Sequence, residues 1–172
     1  MKKMMLAFAL LFFSGKFLHA QTTNSSTEHQ IAINKVLQTF MHCMTTKDST
    51  SFYNLFYDGP VAWVGVYQTA TQQKRISTNP GIADHKLSDY KSWFRSIIQG
   101  SPKEEKFYNV QINTDGHVAA VAFDFSYWAG GKKGIWGKET WGMVRINNEW
   151  KITSVLFSIE QENIVPEPER GQ

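Results

Sequence analysis

Between residues 105 and 160, apolar and polar positions alternate at the period of a β-strand, in four stretches separated by turn residues. The stretches are Glu105–Asn113, Val118–Trp128, Lys138–Ile146 and Trp150–Ile159. Between them lie Asp115-Gly116, a corner at Ala129-Gly130-Gly131-Lys132-Lys133-Gly134, and Asn147-Asn148. Asp-Gly and paired Gly or Asn residues supply the positive φ angles that tight hairpins need. The stretches are rich in Val, Ile, Phe, Tyr, Trp and Thr, which suit a pleated, half-buried surface. The pattern predicts an antiparallel four-stranded meander.

Upstream the period changes to that of a helix. Ile33, Val36, Leu37, Phe40, Met41 and Met44 form one apolar stripe, and Thr27-x-x-Gln30 resembles a capping box that opens it. His42 falls on the opposite, solvated face. Asp48 caps a short second helix with Phe52, Leu55 and Phe56 inward, and Asp58-Gly59-Pro60 stops it. Val61–Tyr67 reads as a strand, and Gln68 to about Leu87 as a long polar connection, a mobile hairpin or rim loop in preference to a functional or partly structured segment. Ser88 or Asp89 caps a third helix carrying Tyr90, Trp93, Phe94, Ile97 and Ile98, which Gly100 and Pro102 end. The tail from residue 161 to 172 holds two prolines and several glutamates and reads as a flexible arm.

The first twenty residues stand apart. Lys2 and Lys3 precede the unbroken apolar run Met4–Phe13, and Leu18-His19-Ala20 places a small residue before a polar stretch. This is the layout of a secretory signal peptide, too short to span a bilayer, with cleavage expected after Ala20. It predicts a secreted or periplasmic protein with no stable membrane anchor after cleavage. Removing it takes Lys2, Lys3 and Lys16 from 18 basic residues and leaves 15 against 15 acidic ones. A neutral mature chain lacks the basic footprint of a nucleic-acid binder. Cys43 is the single cysteine, so no intramolecular disulfide is possible.

The order helix, short helix, strand, helix, four-stranded meander resembles the nuclear transport factor 2-like superfamily, in particular its SnoaL-like branch. The residues that carry the resemblance are Asp115-Gly116-His117-Val118-Ala119, Gly137-Lys138-Glu139-Thr140-Trp141 and Asn148-Glu149-Trp150-Lys151-Ile152 running into Phe157-Ser158. It implies an α+β, cone-shaped (cystatin-like) fold over residues 21–160, with three N-terminal helices packed on a curved antiparallel sheet, and a homodimer formed through the exposed sheet face. It does not select a reaction, because the fold hosts isomerases, cyclases, dehydratases and proteins without catalysis. Many SnoaL-like relatives carry a His on the last strand, two residues before the Ser, that points into the pocket. The matching position here is Leu156, so a His-centred acid–base site is not expected there.

The cone can be lined by Trp63, Trp93, Phe123, Phe125, Tyr127 and Trp141, which suits a small apolar or aromatic ligand, or these rings can simply fill the core. Asp124 is the one candidate catalytic group, a carboxylate mid-strand among aromatics. The alternation assigns Ala119, Val121, Phe123, Phe125 and Tyr127 to the helix-facing side. Asp124 then lies on the other face, paired with Lys138 or Arg145. The histidines are scattered, and no metal, nucleophile, P-loop or other cofactor motif occurs. Three roles follow: a binder of small apolar molecules, a cofactor-free lyase or isomerase using one carboxylate, or an interaction module whose outer sheet face carries Trp128.

Overall fold

The computed structural model describes residues 18–169. The elements run α1 (Leu18–Thr46), α2 (Ser49–Asn54), β1 (Ala62–Tyr67), α3 (Thr69–Thr78), β2 (His85–Leu87), α4 (Tyr90–Ile97), β3 (Lys103–Thr114), β4 (Val118–Ala129), β5 (Lys132–Ile146) and β6 (Glu149–Gln161). One six-stranded sheet has the order β2-β1-β6-β5-β4-β3. All neighbours are antiparallel except β1 and β6, which run parallel.

The meander forms as the turn residues dictate. Asn147 and Asn148 (φ 50° and 66°) close β5–β6, and Gly130 and Gly131 (φ 56° and 75°) close β4–β5. At the β3–β4 turn the Asp115 carboxylate accepts from the backbone N–H groups of His117 and Val118. Asp48 and Asp89 cap α2 and α4, accepting from Ser51 and Ser92 N–H. Helix α1 begins at Leu18, ahead of the expected capping box at Thr27, and ends where Lys47 turns left-handed (φ 61°). The stretch read as a signal peptide lies almost entirely outside the described residues.

Two expectations change. The connection from Gln68 to Leu87 is not a loop: it folds into α3 and β2, raising the helices to four and lengthening the sheet by an edge strand. Its anchors are polar. Gln72 Nε2 donates to Ile82 O, Arg75 Nη1 donates to Ala83 O, and the Arg75 guanidinium lies 3.4 Å from the centre of the Tyr67 ring. The buried Thr71 hydroxyl donates to Glu160 and accepts from Gln161 N–H. Nor does the tail leave as an arm over its described part, because β6 continues through Gln161. Beyond it, Trp136 Nε1 donates to Val165 O, and Lys133 pairs with Glu167 at 2.8 Å.

The core lies between the helices and one face of the sheet. Ile33, Leu37, Phe40, Cys43 and Met44 of α1 meet Phe52, Phe94 and Ile97 of the shorter helices, over Val121, Trp141, Ile152 and Val155. Phe40 is central: its ring centroid is 5.0 Å from those of Phe52 and Trp141 and 5.7 Å from that of Trp93. Rings therefore fill the base of the cone.

Candidate functional site

Above that base the cone stays open, with a cavity of about 280 Å³ between α4, β1, β2 and the meander. This is near the lower end of small-molecule sites. Of the expected ligand-binding residues, Trp63, Trp93, Phe125 and Tyr127 line it, together with Tyr67 and Phe157. Phe123 and Trp141 do not: both face the helices but are packed below, Phe123 against Phe107 at 4.3 Å and Trp141 against Phe40. The expected set thus divides between wall and foundation.

Asp124 is on the outer face. Its carboxylate accepts from Lys138 Nζ at 2.6 Å and from Asn109 Nδ2 at 2.7 Å, opposite Lys138 in the register. The alternation of β4 survives because the sheet's irregularities fall elsewhere. One lies in β3 after Tyr108, where Asn109 has φ 52°, one opposite Tyr127-Trp128, and one between β5 and β6 after Gly142. Asp124 therefore cannot reach a molecule in the cavity. Leu156 also lies outward, 45% exposed, rather than pointing into the pocket, so its identity says nothing about the chemistry inside.

The acids inside the cone are two that the sequence reading passed over, Glu105 and Glu139, both lining the cavity. Glu105 stands opposite Tyr127, and Glu139 stands between Phe123 on one side and Phe157 on the other. They are 7% and 4% exposed. Glu139 Oε1 accepts from Trp141 Nε1 at 2.5 Å, whereas Glu105 Oε2 has no hydrogen-bond partner among the described residues. Burial pushes the Glu139 carboxyl up to about 8, against a pull downward from the Trp141 bond. Burial, with the Glu139 charge added, pushes Glu105 well above the usual carboxylate range. Burial and then Glu105 raise the neighbouring Tyr127 phenol to about 12. Burial thus favours the protonated form of both carboxyl groups.

A signal for them existed. The register that faces Val121 and Phe123 inward puts their partners Trp141 and Glu139 inward too. Gly137, next on that face, is required: a Cβ there would come within 2.2 Å of Ser158 O. Among the described residues no cluster of His, Cys, Asp and Glu could hold a metal ion, and no helix is long and apolar enough to cross a membrane.

No protein-family model and no curated protein matches the chain in sequence. Solved structures match it in shape. A nuclear transport factor 2-like protein of unknown function from Pseudomonas putida KT2440 aligns with TM-score 0.60 at 12% identity, over 85% of this chain and 98% of that one. A nuclear transport factor 2-like protein with a cystatin-like fold from Novosphingobium aromaticivorans gives 0.59 at 10% identity, over 84% and 90%. A third, from the same organism and provisionally named a scytalone dehydratase, gives 0.60 at 12% identity, over 81% and 89%. At such identities the likeness shows the fold: the chain has the nuclear transport factor 2-like, cystatin-like fold.

Proposed function

We propose that the cone cavity receives a small, largely apolar or aromatic molecule, whose polar end meets the carboxyl groups of Glu105 and Glu139. The observation that carries this reading is the pair itself, two buried acids facing one aromatic-walled cavity. Burying a carboxyl group without a full set of partners costs stability, and a bound polar group offsets that cost. Titration with 1-naphthol, followed by quenching of tryptophan fluorescence, tests it, since Trp63 and Trp93 line the cavity. Saturable quenching that disappears when Ile135→Trp fills the cavity supports the reading; quenching unchanged by that substitution contradicts it.

A second reading, a cofactor-free lyase or isomerase, draws on the same pair. With burial raising both groups, one carboxyl can accept a proton from carbon while the other donates to oxygen. The neighbour provisionally named a scytalone dehydratase supports considering this chemistry. Its test is exchange of solvent deuterium into 2-indanone. Exchange above the buffer rate that Glu139→Gln removes supports catalysis, and exchange at the buffer rate leaves the binding role. Export with cleavage after Ala20, and a homodimer across the outer sheet face, complete the proposal. The intact mass of exported protein, beginning at Gln21, and sedimentation test those two parts.

A further inference from the structure

We infer that the cavity's ligand is an organic cation: a protonated amine on a body of one or two rings, with its ammonium group between Glu105 and Glu139. This rests on the cavity being a ligand site and adds the charge of the occupant.

Several other acids of the chain have partners. Asp124 has Lys138, Glu104 has Lys106, Glu149 has Lys151, and Glu162 and Glu167 share Lys133. Buried Glu160 has the Thr71 hydroxyl. Within the cavity neither Glu105 nor Glu139 forms an ion pair among the described residues, and Glu105 Oε2 lacks even a hydrogen bond. Two nearby cations are engaged elsewhere: Lys103 Nζ donates to Ser96 O, and Arg75 is stacked on Tyr67 and bonded to Gln72 and Ala83. Lys86, on the exposed strand β2, lines the cavity but forms no ion pair with either glutamate.

The walls point the same way. Trp63, Trp93, Tyr67, Phe125, Tyr127 and Phe157 present rings to the cavity, and the negative faces of aromatic rings attract cations. Carboxylates and rings together repel an anion. A neutral hydroxyl would satisfy one carboxyl oxygen, whereas an ammonium group brings several donors and a positive charge to both groups. Of the titratable groups lining the cavity beside the pair, Tyr127 stays protonated, and Tyr67 on β1 and Lys86 on β2 are the others among the described residues. A cation among them favours the charged carboxylates, so its binding expels protons that the empty cavity holds.

Isothermal titration of tryptamine and of indole-3-ethanol, which share a ring and differ in ammonium against hydroxyl, tests this in phosphate and in Tris at pH 7. The expected result is tryptamine binding about tenfold or more tighter, with proton release seen as a buffer-dependent heat. The preference should grow from pH 5 to pH 8 and vanish in Glu105→Gln/Glu139→Gln, where the two compounds should bind within about twofold of each other. The pH series on the unaltered protein stands on its own if the double variant fails to fold. Equal binding of the two compounds, or no growth with pH, overturns the inference and leaves the ligand site in place. Failure of both compounds to bind overturns the inference and the ligand site together.

Discussion

Replacing Glu139 with Gln should make the protein more stable at neutral and mildly alkaline pH. The carboxyl moves from 4.5 to about 8 because it is buried. Between those values the folded chain holds a proton that the unfolded chain has released. A group raised in this way contributes stability fully present below the unfolded value, and that stability is lost as pH rises through the folded one. Each such group tilts stability downward by about 1.4 kcal/mol per pH unit inside the window. Glu105, raised by burial and then by the Glu139 charge, tilts it in the same direction. Gln keeps the shape of Glu139 and a carbonyl for the Trp141 Nε1 bond, and does not titrate. Urea denaturation at pH 5, 6, 7 and 8 measures the effect. The unaltered protein should lose stability steadily across the series, Glu139→Gln should show roughly half that slope, and Glu105→Gln/Glu139→Gln should be close to flat. By pH 8 the single variant should lead by about 2–4 kcal/mol, less than the full tilt because the open mouth admits water. The acids with lowered values, among them Asp48, Asp89 and Asp115, lose their contribution only as pH falls, so they do not enter this window. Stability that is level or rising from pH 5 to 8 would refute the reasoning.

Trp93→Ala should cost about 2–3 kcal/mol in chemical denaturation, below the 3–5 kcal/mol of a fully enclosed ring, because Trp93 packs on Phe40 and Phe52 yet faces the cavity; ligand affinity should fall with it. Gly65→Ala places a Cβ 2.6 Å from the Phe157 ring and 2.9 Å from Ile159 Cδ1, so both side chains shift, and 1-naphthol affinity by titration should drop with little change in fold by circular dichroism. Asp124→Asn should change stability by less than about 1 kcal/mol, since Lys138 is 83% exposed, and should leave cavity binding intact; sedimentation of the same variant reports whether the outer face joins two copies.

Most of the fold was legible because its signals are local. Period-two alternation and turn residues specified β3 to β6, and the carboxylates of Asp48 and Asp89 marked the helix starts they cap. The same alternation put Asp124 outward with Lys138 or Arg145 as its partner, and Lys138 is the one that pairs with it. The missed parts lack that kind of signal. Helix α3 is held by Thr71, Gln72 and Arg75 rather than by an apolar stripe, and β2 is exposed throughout. The described tail is secured by ion pairs to Lys133 and by the Trp136 bond, which its Pro- and Glu-rich composition conceals. The acids of the site were hidden differently. Glu105 opened a strand and Glu139 sat inside a fold motif, so each looked structural until the register set them in one cavity. Leu156 shows the opposite error, in which a position matched by spacing alone proved to face solvent.

Central to the proposed function is the cavity as a ligand site with the two glutamates at its polar end. A crystal soaked in 4-bromophenol, with bromine located by its anomalous signal, tests that claim most directly. The predicted result is a single bromine peak among Trp63, Trp93 and Phe125, with the phenol oxygen within hydrogen-bond distance of Glu105 or Glu139. Bromine found only on the outer surface, with the cone closed by its own side chains, would contradict it.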